Sequence, residues 1–139
     1  MTDSDEKTMR DLVEELEGRR SAVQMMGGPE RVERQHDRGK LTARERLDIL
    51  FDDGDFFEIG THGSASQDEL IPADGVVCGI GPIDGRKCCV AAYDFTVLGG
   101  SIGPVGEVKV TRLRELALRE RMPMIWLIDS AGARISAQG

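Results

Sequence analysis

Aromatic residues are scarce in this chain. One Trp, one Tyr and four Phe make up 4% of 139 residues, so aliphatic side chains and alanine must fill most of any core. Cysteine is nearly as rare. Cys78, Cys88 and Cys89 form no CxxC pair, so zinc-finger spacing is absent, and their odd number argues against a disulfide framework. They read as small buried hydrophobes of a reducing compartment. Only two histidines are present, His36 and His62, and neither lies near a candidate nucleophile in sequence. No metal-ligand cluster emerges, so no metal is expected. Excess positive charge is also lacking: the net charge is −7, which argues against broad binding to nucleic-acid phosphates. There is no apolar leader and no run of membrane-spanning length, and a cytoplasmic location without membrane contact is the expectation.

What the chain does have is most concentrated at Met124–Gly139. The apolar run Met124–Ile128 reads as a buried strand that breaks into Asp129-Ser130-Ala131-Gly132-Ala133-Arg134. Small residues in such a turn let a ligand approach the main chain, where unpaired N–H groups can face a developing oxyanion.

Upstream, residues 1–50 read as helical. Thr2, Asp3 and Ser4 offer N-cap oxygens for a helix running to about Met26, where Gly27-Gly28-Pro29 ends it. Its thin apolar stripe (Leu12, Val13, Leu16, Val23, Met26) suits a helix lying on a surface, another subunit's included. A second helix starts at Pro29 and ends near Gly39. Thr42-Ala43-Arg44-Glu45 fits a capping box opening a third, with Leu47, Leu50 and Phe51 on its apolar face. After the turn Asp52–Asp55 come a short strand at Phe56–Ile59 and a polar, aperiodic loop from Thr61 to Ala73.

Gly75–Ile80 and Arg86–Tyr93 form a hairpin pattern through Ile83-Asp84-Gly85. Their continuous apolarity predicts strands covered on both faces. The glycine-bearing crossover Phe95–Gly103 leads to a helix over Val105–Arg121. Its main apolar positions are Val108, Leu113, Leu116 and Leu118, and Lys109 and Arg112 are placed on its surface. The order strand, strand, helix, strand cannot bury both sheet faces alone. Further repeats or an obligate partner are therefore expected.

Four motifs occur in register: RQHDRGKLTARERLDILFDDGDFFEIG (Arg34–Gly60), DGVVCGIGPIDGR (Asp74–Arg86), DFTVLGGSIG (Asp94–Gly103) and IDSAGARI (Ile128–Ile135). Together they resemble the start of the carboxyltransferase (beta) subunit of biotin-dependent acyl-CoA carboxylases of the propionyl-CoA carboxylase type. The resemblance implies an α/β, crotonase-like fold of strand–strand–helix repeats, incomplete here. Residues 1–50 would form an N-terminal helical arm and residues 51–139 the first part of a carboxyltransferase domain. It also implies transfer of a carboxyl group from carboxybiotin, borne by a partner biotin carboxylase/biotin carboxyl carrier subunit, to the α-carbon of an acyl-CoA, within a hexamer. Two departures stand out. Ser136-Ala137-Gln138-Gly139 replaces the usual Gln-Glu-Gly, and no histidine follows Gly103.

By that resemblance the Ala133 N–H, with Gly132 beside it, is one donor to a thioester enolate oxygen. The second donor belongs to a glycine pair further along, so the isolated 139-residue polypeptide is expected to lack activity. Ala131, Arg134, Gly99, Gly100 and Ser101 are candidate substrate-binding residues. Arg134 has three readings: a CoA phosphate contact, closure of the turn by bonding carbonyls, or a pair with Asp129. Gly99-Gly100-Ser101 reads either as an anion cradle at a helix N-terminus or as close helix–strand packing. The basic stretch Arg31, Arg34, Arg38, Lys40, Arg44 and Arg46, interleaved with acids, reads as a solvated face or as a CoA-phosphate contact. Rival functions are a non-catalytic assembly fragment of the fold and a malonyl- or methylmalonyl-CoA decarboxylase subunit.

Overall fold

The computed structural model describes residues 7–135. The expected caps Thr2, Asp3 and Ser4 and the tail Ser136–Gly139 lie outside them.

Three helices form the arm: α1 (Met9–Gln24), α2 (Pro29–Asp37) and α3 (Ala43–Leu50). The cap of α1 is Thr8, whose hydroxyl accepts the Asp11 N–H while the Asp11 carboxylate accepts from the Thr8 backbone. The helix stops at Gln24 because Met26 and Gly28 turn to positive φ, 53° and 93°. Thr42 and Glu45 form the expected reciprocal box at the start of α3.

The sheet runs β1 (Phe57–Ile59), β2 (Val76–Ile83), β3 (Arg86–Tyr93) and β4 (Met124–Leu127), in that spatial order. The first three strands are antiparallel, and β4 lies parallel to β3. The helix α4 (Pro104–Arg119) makes the crossover between them. The β2–β3 hairpin turns through Asp84 and Gly85, both at positive φ (49° and 75°), as a tight two-residue turn of this hand requires. The Asp52 carboxylate accepts both of their N–H groups, at 2.9 and 2.8 Å.

Alternating side chains of β2 and β3 feed two cores. Val77, Val90 and Ala92 pack against Val23 of α1, Ala43 and Leu47 of α3, and Phe51. Val76, Cys78, Cys89, Ala91 and Tyr93 pack against Val110, Leu113 and Ala117 of α4. The arm thus shares a core with the sheet. All three cysteines are buried and free, and burial pushes the Cys78 thiol up to about 11.

The stripe of α4 departs from the sequence expectation. Gly106, Lys109, Val110, Leu113 and Ala117 face inward, whereas Val108 and Leu118 are 52% and 81% exposed. Lys109, expected on the surface, is buried for a structural reason. The strand entry Pro72–Gly75 holds Ala73 and Asp74 at positive φ, leaving carbonyls that no ladder satisfies. Lys109 Nζ donates to Ala73 O at 2.7 Å and to Val76 O at 2.6 Å. Burial lowers the Lys109 pKa from its ordinary value. On α1, Met9, Leu12, Val13 and Leu16 leave a stripe 40–74% exposed. No helix among the described residues is long and apolar enough to cross a membrane.

Lys109→Met keeps the stem but strands two buried carbonyls. A loss of about 1–3 kcal/mol in urea unfolding is expected. A loss below about 0.5 kcal/mol would show that water replaces the ammonium at no cost.

Candidate active-site turn

The segment Asp129–Arg134 leaves β4 and lies along the loop Gly99–Ile102 that leads into α4. The two are zipped together by main-chain bonds. Ala131 N donates to Gly99 O, Ile102 N to Gly132 O, and Arg134 N to Ile102 O, each at 2.9 Å. Two glycines permit this approach. Gly100 sits at φ 62°, and a Cβ there would run into the Asp129 carbonyl. Gly99 sits at φ 64° against the Ala131 methyl.

The zipper decides which amides remain available. The Ala131 N–H is bonded to Gly99, and the Gly132 N–H donates to Ser130 Oγ at 3.0 Å. Ile102 pairs with Ala133 as an isolated parallel bridge. In such a bridge the flanking residues supply the bonds, so the amide of Ala133 itself faces away. Ala133 is exposed, and its N–H has no acceptor among the described residues. The N–H of Gly132, named beside Ala133 as a catalytic position, is engaged with Ser130.

Each end of the turn is anchored. Arg134 Nε donates to Ser101 Oγ at 3.1 Å, and its terminal nitrogens reach the Asp74 carboxylate, Asp74 O and Ser101 O. The Asp74 carboxylate, with a fully buried side chain, also accepts the Gly106 N–H in the first turn of α4 at 2.6 Å. A Cβ on Gly103 would strike the Arg134 guanidinium, so that glycine makes room for the pair. Of the three readings of Arg134, the structure shows closure of the turn: it bonds the Ser101 hydroxyl, the Asp74 carboxylate and the carbonyls of Asp74 and Ser101, and it is not paired with Asp129. The N-terminus of α4 already holds a carboxylate, so it is no vacant anion cradle. Asp74 was missed in the sequence because it lies 32 residues before Gly106 and 60 before Arg134.

At the other end, Asp129 accepts from Gln35 Nε2 (2.8 Å), Lys40 Nζ (3.0 Å) and Arg46 (3.4 Å). Burial alone would raise its pKa. The bonds from Gln35 and Lys40 and the charges of Lys40 and Arg46 outweigh it and hold the carboxyl below its usual range. Ser130 Oγ accepts from Gly132 N, while His36 bonds Glu45 at 2.9 Å, so no Ser–His pair is assembled. Among the described residues no group of three or more His, Cys, Asp or Glu side chains is placed to hold a metal ion.

The zipped loops border two clefts. One, of about 300 Å³, is lined by Arg31, Arg34, Gln35 and Arg38 of the arm with Phe95, Thr96, Leu98 and Gly99. Arg31, Arg34 and Arg38 form no ion pair among the described residues. Arg38 and Lys40 lie over the Phe95 ring at 5.9 and 5.4 Å. Arg44, by contrast, is engaged with Glu58 of β1 at 2.9 and 3.0 Å. The other cleft, of about 410 Å³, is apolar and is lined by Tyr93, Ile102, Trp126 and Ile128 with Ser130 and Gly132.

A family model described as "Carboxyl transferase domain" matches residues 34–138, a span that includes the whole turn and the zipped loop. The chain belongs to the carboxyl transferase domain family. It is 45% identical over 133 residues to the "Propionyl-CoA carboxylase beta chain" of Roseobacter denitrificans, covering 91% of this chain and 26% of that protein. It is 40% identical to the "Methylmalonyl-CoA decarboxylase subunit alpha" of Veillonella parvula, covering 92% of this chain and 26% of the relative. Among solved structures, transcarboxylase 12S superimposes with a TM-score of 0.85 at 43% identity, covering 95% of this chain and 27% of that one. That structure is described as a hexamer with hydrolysed methylmalonyl-coenzyme A bound. The chain therefore spans about a quarter of the length of these relatives. The carboxyl transferase domain is crotonase-like, and this chain is mixed α/β, with N-terminal helices and a four-stranded sheet.

Two outcomes are expected. Arg134→Met leaves Asp74 buried without its partner and costs about 3–5 kcal/mol in chemical unfolding, and adding Asp74→Asn restores part of it. A loss below about 1 kcal/mol would mean that the pair is dispensable. The second concerns pH. The folded protein holds Asp129 below its unfolded pKa, so between the two values the unfolded chain binds more protons and stability rises with pH. The stability advantage over Asp129→Asn should be full above about pH 4 and fade as pH falls further. An advantage that grows on acidification would contradict the assigned contacts.

Proposed function

We propose that this chain is part of an acyl-CoA carboxyltransferase that moves a carboxyl group from carboxybiotin to the α-carbon of an acyl-CoA such as propionyl- or acetyl-CoA. The observation that carries this reading is the free Ala133 N–H, held outward while the amides of Ala131 and Gly132 are occupied. Carboxybiotin, presented on a partner biotin carboxylase/biotin carboxyl carrier subunit, is a co-substrate that supplies the carboxyl group and whose ureido nitrogen takes the α-proton. The enolate carbon then forms the new C–C bond to the released carboxyl carbon. The electron pair left by the α-proton delocalises onto the thioester oxygen. This chain contributes a pre-aimed amide for that oxygen, at no cost in reorganisation. No side-chain base of the chain is required, in keeping with a turn built from Ala131, Gly132 and Ala133.

The two clefts suit the two parts of an acyl-CoA. Arg31, Arg34 and Arg38 offer uncompensated positive charge to CoA phosphates, in a protein of net charge −7. The apolar cleft offers Trp126 and Ile128 to the acyl side. Gly99 and Gly100 serve by shape, keeping the loop close to the turn. We treat residues 1–50 as a helical arm and 51–139 as the first part of the carboxyltransferase domain. Assembly into a hexamer, supported by the 12S relative, would bury the apolar stripe of α1. The buried free thiols favour a cytoplasmic setting.

A second reading, decarboxylation of malonyl- or methylmalonyl-CoA, is favoured by the Veillonella relative. The same amide would serve it, because the same enolate forms when the carboxyl group leaves.

The test is an assay of the complete carboxyltransferase carrying this sequence with biotin carboxylase, carrier protein, ATP, bicarbonate and acyl-CoA. Biotin-dependent carboxylation is expected. Decarboxylation without ATP would select the rival, and neither activity would favour a non-catalytic assembly role. Replacing the Gly132–Ala133 amide by an ester removes the N–H while weakening the Gly132 carbonyl that accepts from Ile102, and kcat should fall by about 10²–10³. An unchanged kcat would remove Ala133 from the mechanism.

A further inference from the structure

We propose that the helical arm is a positioning clamp: Gln35, together with Lys40 and Arg46, acts through Asp129 to hold the Ala131–Ala133 turn in register with the Gly99–Ile102 loop. Only the catalytic consequence of this clamp rests on the function proposed above.

Gln35 is the one buried residue of α2, 4% exposed on a helix whose other residues are exposed except the half-buried Val32. Its amide does not fill a core. It donates to Leu41 O at 3.2 Å and to Asp129 Oδ2 at 2.8 Å. Lys40, in the link to α3, takes the other carboxylate oxygen at 3.0 Å, and Arg46 of α3 shares Oδ2 with Gln35 at 3.4 Å. Donors from three consecutive pieces of the arm thus converge on one carboxylate 83 to 94 residues away. That carboxylate belongs to the first residue of the turn. The Asp129 carbonyl in turn occupies the space that a side chain at Gly100 would fill.

The geometry makes the clamp directional. The turn is pinned at Arg134 by Asp74 and Ser101, and at Asp129 by the arm. Between the pins lie only small residues, Ser130-Ala131-Gly132-Ala133, and Gly132 has φ 109°. Apart from the Ala131 methyl against Gly99 and the bond from Gly132 N to Ser130 Oγ, such a segment has little side-chain contact to fix its peptide planes, so its direction comes mainly from its ends and from the zipper. Releasing the Asp129 end should let the Ala133 amide swing while the sheet stays intact. Gln35 also lines the arginine cleft beside Gly99, so the clamp adjoins the surface where a phosphorylated ligand would lie.

The first test needs no turnover. In the 139-residue chain, amide hydrogen exchange is followed by NMR for Ala131, Ile102 and Arg134, whose N–H groups make the zipper, and for Val90 and Ala91 of the central strand. Gln35→Leu should speed exchange of the zipper amides by about tenfold or more relative to the strand amides. Lys40→Gln, on the exposed side, should do so by about threefold. Equal acceleration in zipper and strand, or none in the zipper, would overturn the clamp.

The second test uses the complete carboxyltransferase with its biotin carrier. Gln35→Leu should lower kcat by about tenfold with KM for acyl-CoA within about twofold, the pattern of a misdirected transition-state donor. An unchanged kcat, or a rise in KM alone, would overturn the catalytic consequence. If the unmutated enzyme transfers no carboxyl group, the functional proposal fails while the exchange result still decides the clamp.

Discussion

The ion pair between Arg134 and Asp74 is the constraint on which the candidate site depends. Asp74 lies at the entry to β2, in a left-handed conformation that makes the strand begin abruptly. Its carboxylate reaches α4 and the guanidinium of the turn at once, so three segments distant in sequence share one buried charge. Buried pairs of this kind contribute little net stability compared with apolar packing, because desolvation offsets their attraction. Their effect here is geometric. A planar guanidinium held by a carboxylate, a hydroxyl and two carbonyls leaves the backbone of residue 134 one orientation. The zipper of Ala131, Ile102 and Arg134 amides then follows.

The glycines complete that constraint by what they leave empty. Gly100 and Gly103 create space for the Asp129 carbonyl and the Arg134 guanidinium, and Gly75 lies against the same side chain. The helix that follows begins with Gly103-Pro104 and has no capping side chain of its own; the Asp74 carboxylate supplies that function. A loop that reads as an anion site in sequence is instead closed by an internal anion. Within Ala131-Gly132-Ala133, the N–H left open among the described residues is that of Ala133.

Much of the fold was legible in the residues. Local chemistry set the Thr42–Glu45 capping box, the Asp84-Gly85 turn and the break at Gly27-Gly28-Pro29. The uninterrupted apolarity of Cys88–Ala92 announced a strand buried on both sides. The inward stripe of α4 was misread because Val108 and Leu118 are large and apolar, yet α4 meets the sheet through Gly106, Val110, Leu113 and Ala117. The face that meets the sheet mixes the small Gly106 and Ala117 with Val110 and Leu113, and only Leu113 of the four large expected positions is buried there. Lys109 was misplaced for a related reason: its burial answers carbonyls freed 33 and 36 residues earlier.

The sequence alone determined the elements, the small-residue turn, and the family resemblance carried by four motifs in order, because each depends on neighbours within a few residues. Only the tertiary structure decided which amide of Ala131-Gly132-Ala133 is free, that Arg134 faces Asp74 and Ser101, and that the arm reaches Asp129. Apart from the local bond from Gly132 N to Ser130 Oγ, those outcomes rest on hydrogen-bond partners between 30 and 94 residues apart. No local pattern encodes such a partner, because any buried donor accepts whichever oxygen the packed chain brings within reach.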